Sequence, residues 1–157
     1  MIRFAEPRDV DAIVGLVHEL AAYERAPDDV HLTDEQLHVA LFGPSPAAFC
    51  HVADVEGEVV GMALWFVSFS TWLGLHGIYL EDLYVRPSHR RAGIGRALLE
   101  ALARVAVDRG YGRLEWAVLD WNASAIAFYE SIGAVAQDEW TVHRVSGPAL
   151  RALAGSP

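Results

Sequence analysis

The sequence predicts a mixed α/β domain, its sheet built partly of hairpins and partly of crossovers, with helices on both faces. Two observations carry this. Residues 49–55 and 59–69 are β-rich runs joined at Glu56-Gly57, a hairpin signal that makes them antiparallel neighbours. Residues 78–85 form a third run, stopped by Pro87. It leads through a basic glycine loop into a helix with apolar residues at Ile94, Ala97, Leu98, Ala101, Leu102 and Val105, a three-and-four spacing. Residues 113–119 read as the next strand, and a strand–helix–strand connection of this kind sets its strands parallel.

The other elements follow from local signals. Residues 2–5 make a short first strand. Pro7 and Asp9 open a helix to about Glu24, with Val10, Ile13, Val14, Val17 and Leu20 on one face, and Pro27-Asp28-Asp29 breaks it. Thr33-Asp34-Glu35-Gln36 has the form of a capping box, so a second helix runs to about Phe42 before the loop Gly43-Pro44-Ser45-Pro46. The helix after the glycine loop ends near Arg109-Gly110. Asn122 caps another through Ser131, which Gly133 stops. Residues 137–145 read as a last strand, and Gly147-Pro148 starts a tail helix. The expected order is β-α-α-β-β-β-α-β-α-β, in one domain over residues 1–157.

Composition narrows the function classes. Just over half of the 157 residues are hydrophobic and a fifth are charged, as in a globular protein. The formal net charge of −9 argues against nucleic acid as a partner and suits a cationic one. No apolar run reaches the length of a membrane span, and Met1-Ile2-Arg3-Phe4 reads as strand rather than signal peptide. The single cysteine, Cys50, lies in an apolar run and reads as a small buried side chain in a reducing, cytoplasmic setting. The seven histidines show no metal-ligand spacing, so no metal is expected.

The loop Arg90-Arg91-Ala92-Gly93-Ile94-Gly95 carries the first chemical signal. Two glycines at alternate positions before a helix let backbone N–H groups approach a phosphate, and the helix dipole adds positive charge there. A P-loop would need Gly-x-x-x-x-Gly-Lys and Ser or Thr, and no such run exists. A dinucleotide fingerprint would need a third glycine where Leu98 stands, although Glu115 falls near the distance expected of its ribose acid. The remaining readings are an ordinary glycine turn and an Arg-x-x-Gly-x-Gly pyrophosphate loop.

That last pattern resembles the acetyl-CoA loop of the GNAT superfamily of N-acetyltransferases, whose element order is the one expected here. Five further blocks, Leu20-Ala21-Ala22-Tyr23-Glu24, Trp72-Leu73-Gly74, Tyr79-Leu80-Glu81-Asp82, Asp120-Trp121-Asn122 and Phe128-Tyr129, resemble the diamine (spermidine/spermine) N-acetyltransferase branch. The resemblance implies a GNAT fold, acetyl-CoA as cofactor, a homodimer, and acetylation of a small-molecule amine of diamine, polyamine or thialysine type. A protein lysine or N-terminal acetyltransferase and a non-catalytic acyl-CoA-binding sensor are the alternatives. It assigns the cofactor to Leu83, Tyr84, Val85, Arg90, Arg91, Ala92, Gly93, Ile94, Gly95, Arg96, Asn122 and Tyr129. It assigns the acceptor to Tyr23, Glu24, Trp72, Glu81, Asp82 and Trp121.

Acetyl transfer to an amine requires the amine to lose a proton, an oxyanion to be held and a thiolate to leave. A primary amine with a pKa of about 10.4 costs roughly 4.6 kcal/mol to neutralise at pH 7, and a nearby carboxylate can take the proton. Glu81 and Asp82 are adjacent on a strand, so alternation puts Glu81 with Leu83 and Val85 and puts Asp82 with Tyr84. The resemblance makes Glu81 the base and a backbone N–H freed by a bulge near Val85 the oxyanion donor. Asn122 and Tyr129 share a helix face at i and i+7; Tyr129 is the candidate acid for the leaving thiolate, against the alternative of a ring packed in the core. Asp138 and Glu139 could hold a second ammonium or be a solvated turn.

Overall fold

The computed structural model describes residues 1–155, which group into two units, Met1–Leu119 and the residues from Asp120 on. The first unit holds a five-stranded sheet of β1 (Ile2–Phe4), β2 (Phe49–Val55), β3 (Glu58–Ser70), β4 (Leu75–Val85) and β5 (Leu114–Glu115), paired in that order. The first four strands are antiparallel, and β5 joins β4 in parallel. The expected hairpin forms at Glu56-Gly57, where both residues adopt positive φ and the Gly57 N–H donates to Asp54 Oδ1 at 2.9 Å. Positive φ at both turn positions matches the twist of the flanking strands.

Helices α1 (Val10–Tyr23), α2 (Asp34–Phe42) and α3 (Ile94–Asp108) cover the sheet. Val10, Ile13, Val14 and Leu16 of α1 and Leu37 and Leu41 of α2 pack with Cys50, Val52, Met62 and Tyr84 in one core. Leu98, Leu99, Ala101, Leu102 and Ala106 of α3 are buried separately, as an amphipathic crossover helix requires. The capping box of α2 is present, with the Gln36 N–H donating to Thr33 Oγ1 and the Thr33 N–H to Gln36 Oε1. Gly110 takes φ +68 where α3 ends. Pro7–Asp9 is a single 3-10 turn leading into α1. Its Asp9 accepts two bonds from Arg3, at 2.6 and 3.0 Å, which tie β1 to the start of α1 and hold the carboxyl below the usual carboxylate range.

In the second unit, α4 (Ala123–Ser131) and α5 (Gly147–Leu153) form as expected, with Asn122 Oδ1 accepting the Ala125 N–H at 3.3 Å. Two expectations need correction. Residues 137–145 make no strand; the Trp140 N–H bonds back to the Gln137 carbonyl in a turn, and Trp140, Val142 and Val145 stay exposed. A β-favourable pattern becomes a strand only where a neighbouring strand completes its ladder, and none does among the described residues. The strand expected over residues 113–119 shrinks to Leu114–Glu115, for a reason that bears on the site.

Opposite the first core, the buried ring of His51 accepts the Trp65 indole N–H at Nδ1, 3.1 Å away. Burial, with help from Arg104 and Arg109, lowers the His51 pKa from 6.5 to about 4. The unfolded chain therefore binds a proton that the native state refuses between those values. Stability is complete above pH 6.5 and falls as pH drops towards 4, by about 3 kcal/mol from this residue. Urea unfolding of the parent and His51→Gln, which keeps an acceptor for Trp65, checks this: the variant loses that part of the slope.

Candidate active site

The site is built around the second half of β4. Pairing with β5 consists of Ile78↔Leu114 and Tyr79↔Glu115, after which the two strands part. From Leu80 to Val85 the edge of β4 on that side has no β5 residues beside it, although β3 still pairs on the other side as far as Gly61↔Val85. This is why β5 is so short. A strand edge left open inside a domain is a row of backbone donors and acceptors available to an extended ligand.

The register between β3 and β4 also slips. Trp65 faces Leu80 and Leu64 faces Asp82, so Glu81 is an extra residue, a β-bulge. The expected alternation is corrected accordingly: Leu80, not Glu81, shares a face with Leu83 and Val85. The bulge lies at Glu81, four residues before the end of the strand, rather than beside Val85. Glu81 is exposed. Asp82 is partly buried, in one cross-strand row with Leu64 and Cys50, on the face that α1 and α2 cover. Its carboxyl is pushed up to about 6, mainly by burial and further by the charges of Glu81 and Glu24.

The end of α1 forms the neighbouring wall. Glu24 is its C-cap residue, and partial desolvation raises its carboxyl pKa. Tyr23, one position earlier, has the Arg90 guanidinium over its ring at 4.9 Å. The same guanidinium is 5.4 Å from the Tyr84 ring and donates from Nε to the Val85 carbonyl at 2.8 Å. Arg90 thus clamps the loop to the ends of β4 and α1. The Tyr84 ring is buried in the core.

The loop fits a pyrophosphate. Arg91 and Gly93 both adopt positive φ, +63 and +79, and Gly93 is the N-cap of the 15-residue α3. No side chain caps that end and no acidic residue stands in its first turn. The N–H groups of Ile94, Gly95 and Arg96 therefore point to an end without competing anions, the arrangement that binds phosphate. Arg91 and Ala92 are exposed beside it, and Arg96 pairs with Glu100 at 2.9 Å.

Other candidates lie elsewhere. Trp72 sits 87 % exposed in the β3–β4 connection, at the opposite end of β4 from the loop. Glu81 lies six positions along the strand from Leu75, about 20 Å of extended chain, so one chain does not bring Trp72 to the carboxylates. Trp121, Asn122 and Tyr129 belong to the second unit. There the Asn122 side chain caps α4, and the partly buried Tyr129 ring lies 5.4 Å from Phe128. Asp138 and Glu139 are exposed. Sequence reasoning missed Glu19 and Arg86. Glu19 pairs with Arg86 at 3.0 Å and bonds to Tyr84, while Arg86 also reaches Glu58 at 2.6 Å, fixing the end of β4 to α1. The i, i+4 spacing of Glu19 and Tyr23 was the available signal.

The chain matches the Acetyltransferase (GNAT) family over residues 14–134. It is 42% identical to a thialysine N-epsilon-acetyltransferase of Bos taurus, covering 99% of this chain and 97% of that one. It is 33% identical to an L-ornithine N5-acetyltransferase of Arabidopsis thaliana, covering 97% and 86%. Among solved structures, an integron cassette protein from the mobile metagenome of V. cholerae superposes with a TM-score of 0.83 at 28% identity, covering 99% and 98%. The open β4 edge, the phosphate-ready helix end and these likenesses agree: the chain belongs to the GNAT acetyltransferase family.

Proposed function

We propose that the protein transfers an acetyl group from acetyl-CoA to the terminal amine of a small lysine-like or diamine acceptor. The observation that carries this reading is the β4 edge that opens beyond Tyr79, with the uncapped α3 end at its exit and carboxylates beside it. The relatives that act on thialysine and ornithine support the acceptor class, because both compounds are cationic amino acids with a terminal amine. A net charge of −9 suits such a cation.

Bound acetyl-CoA supplies an activated acetyl thioester. Arg91 and the amides of Gly93, Ile94, Gly95 and Arg96 hold its pyrophosphate, and the backbones of Leu83, Tyr84 and Val85, with Asn122, hold its amide arm. A carboxylate of the Glu81–Asp82 pair takes the proton of the acceptor ammonium, which must leave before the nitrogen lone pair can react. Tyr23, Glu24 and Trp121 flank the acceptor. The Tyr129 hydroxyl gives its proton to the departing thiolate, since a phenol with a pKa of about 10 holds its proton where a thiol of about 8.5 has lost one. The exposed Phe69, Trp72, Leu73 and Leu75 at the β3–β4 hairpin end support a homodimer, which would bury them. The setting we infer is cytoplasmic, because Cys50 is a lone, buried thiol.

Thiol release from acetyl-CoA with a panel of amines tests the activity. Thialysine, ornithine and short diamines are expected to support turnover, and an acidic peptide is not; the reverse pattern favours a protein acetyltransferase. Gly93→Val forces a β-branched residue into positive φ and is expected to weaken CoA binding by roughly 10- to 100-fold, from a strain of about 1–3 kcal/mol. Calorimetry with CoA reads this directly, and unchanged affinity would remove the loop from the cofactor site. Tyr129→Phe is expected to keep CoA affinity and lower kcat by about 10²- to 10⁴-fold. Near-native turnover returns Tyr129 to a packing role.

A further inference from the structure

The bulge bears on which of two adjacent carboxylates does the chemistry, a role that the resemblance gives to Glu81. In a regular strand Glu81 would lie on the α1 face and Asp82 on the face where Leu80 lies. The extra residue breaks that order. Leu64 faces Asp82 across the ladder and Cys50 faces Leu64, so Asp82 enters the row beneath α1 while Glu81 is left in solvent.

We propose that Asp82, rather than Glu81, accepts the proton of the acceptor ammonium, while Glu81 and Glu24 hold the cation at the entrance. This rests on the amine-acetyltransferase reading above. The step is a single proton transfer: an N–H bond of the ammonium breaks, an O–H bond forms on an Asp82 carboxylate oxygen, the neutral amine keeps the lone pair, and the proton later leaves to solvent.

The surroundings of Asp82 explain why it suits this role. On its own strand it is next to Glu81, and Glu24 faces it from the end of α1; both are anionic and disfavour a second negative charge nearby. Cys50, on β2, has its thiol pushed up to about 12 and stays neutral. Two residues along the strand, Tyr84 engages Glu19 and Arg90. Arg90 is committed to the Tyr23 and Tyr84 rings and the Val85 carbonyl. Among the described residues no ion pair is made to Asp82. A carboxylate desolvated in this way accepts a proton about a hundredfold more readily than one in water, taking its ordinary pKa as about 3.8 and its value here as about 6. An incoming ammonium is also the cation that this position lacks.

The test is the pH dependence of thialysine acetylation by the parent, Asp82→Asn, Asp82→Glu and Glu81→Gln, with CoA affinity measured for each. In the parent, kcat/KM is expected to fall on the acid side with a midpoint near 6. Asp82→Asn is expected to keep CoA affinity, lose about 10²- to 10⁴-fold in kcat at pH 7, and regain activity steadily as pH rises and the amine deprotonates unaided. Asp82→Glu is expected to restore part of the rate. Glu81→Gln is expected to raise KM, keep kcat within about threefold, and move the acid limb to lower pH, because one anionic neighbour of Asp82 is gone. This last variant is informative even if Asp82→Asn folds poorly. If Glu81→Gln abolishes the limb and Asp82→Asn retains it, Glu81 is the base and the proposal is overturned. If the parent turns over no amine, the acetyltransferase reading fails and the proposal fails with it.

Discussion

One surplus residue in β4 governs how this site is arranged. Side chains along a strand alternate with a period of two, so an inserted residue reverses every side chain beyond it relative to the other strand. Here the insertion is Glu81. Before it, Ile78 and Leu80 are buried on the face opposite the α1–α2 core, and after it Leu83 and Val85 share that face. The same insertion carries Asp82 and Tyr84 to the α1 side, where Tyr84 joins the core with Met62 and Val52. A carboxylate in that position loses hydration without gaining a cation.

The rest of the first unit holds this geometry in place. β3 follows β4 to its end, and at Gly61 the approach is so close that a Cβ would lie 2.9 Å from the Tyr84 carbonyl oxygen. Arg86 fastens the strand end to Glu19 and Glu58. Arg90 fastens the loop to the end of α1 through Tyr23 and to β4 through Val85. The end of α1 and the glycine loop therefore share one clamp. The parting of β4 and β5 after Tyr79 completes the arrangement by leaving a backbone edge open between them.

Much of this was legible in the sequence where the cause is local. The capping box at Thr33, the Glu56-Gly57 turn, the Gly110 helix end and the Asn122 cap each depend on a few neighbouring residues, and each formed as expected. The glycine loop was legible for the same reason, since its conformation depends on Arg91 and Gly93 themselves. What failed depended on partners. Residues 137–145 carry a β-favourable pattern, yet a strand needs a second strand beside it, and a single sequence does not say whether one arrives. Residues 113–119 stop pairing after Glu115, where β4 and β5 part, and one sequence does not show where two strands separate. The grouping of Asp82 with Tyr84 held, but the loss of Glu81 from the Leu83 and Val85 face was invisible, because a bulge is a property of two strands in register while alternation was counted along one.

The most direct measurement of this account is a ¹³C NMR titration of the side-chain carboxyls in the protein without ligand, with Glu81 and Asp82 assigned separately. Asp82 is expected to titrate near pH 6 and to move downward in Glu81→Gln, because burial and the adjacent charge are the causes of its shift. An Asp82 that titrates near the ordinary carboxylate value of about 3.9 would contradict it, since the bulge would then not have carried that side chain out of water.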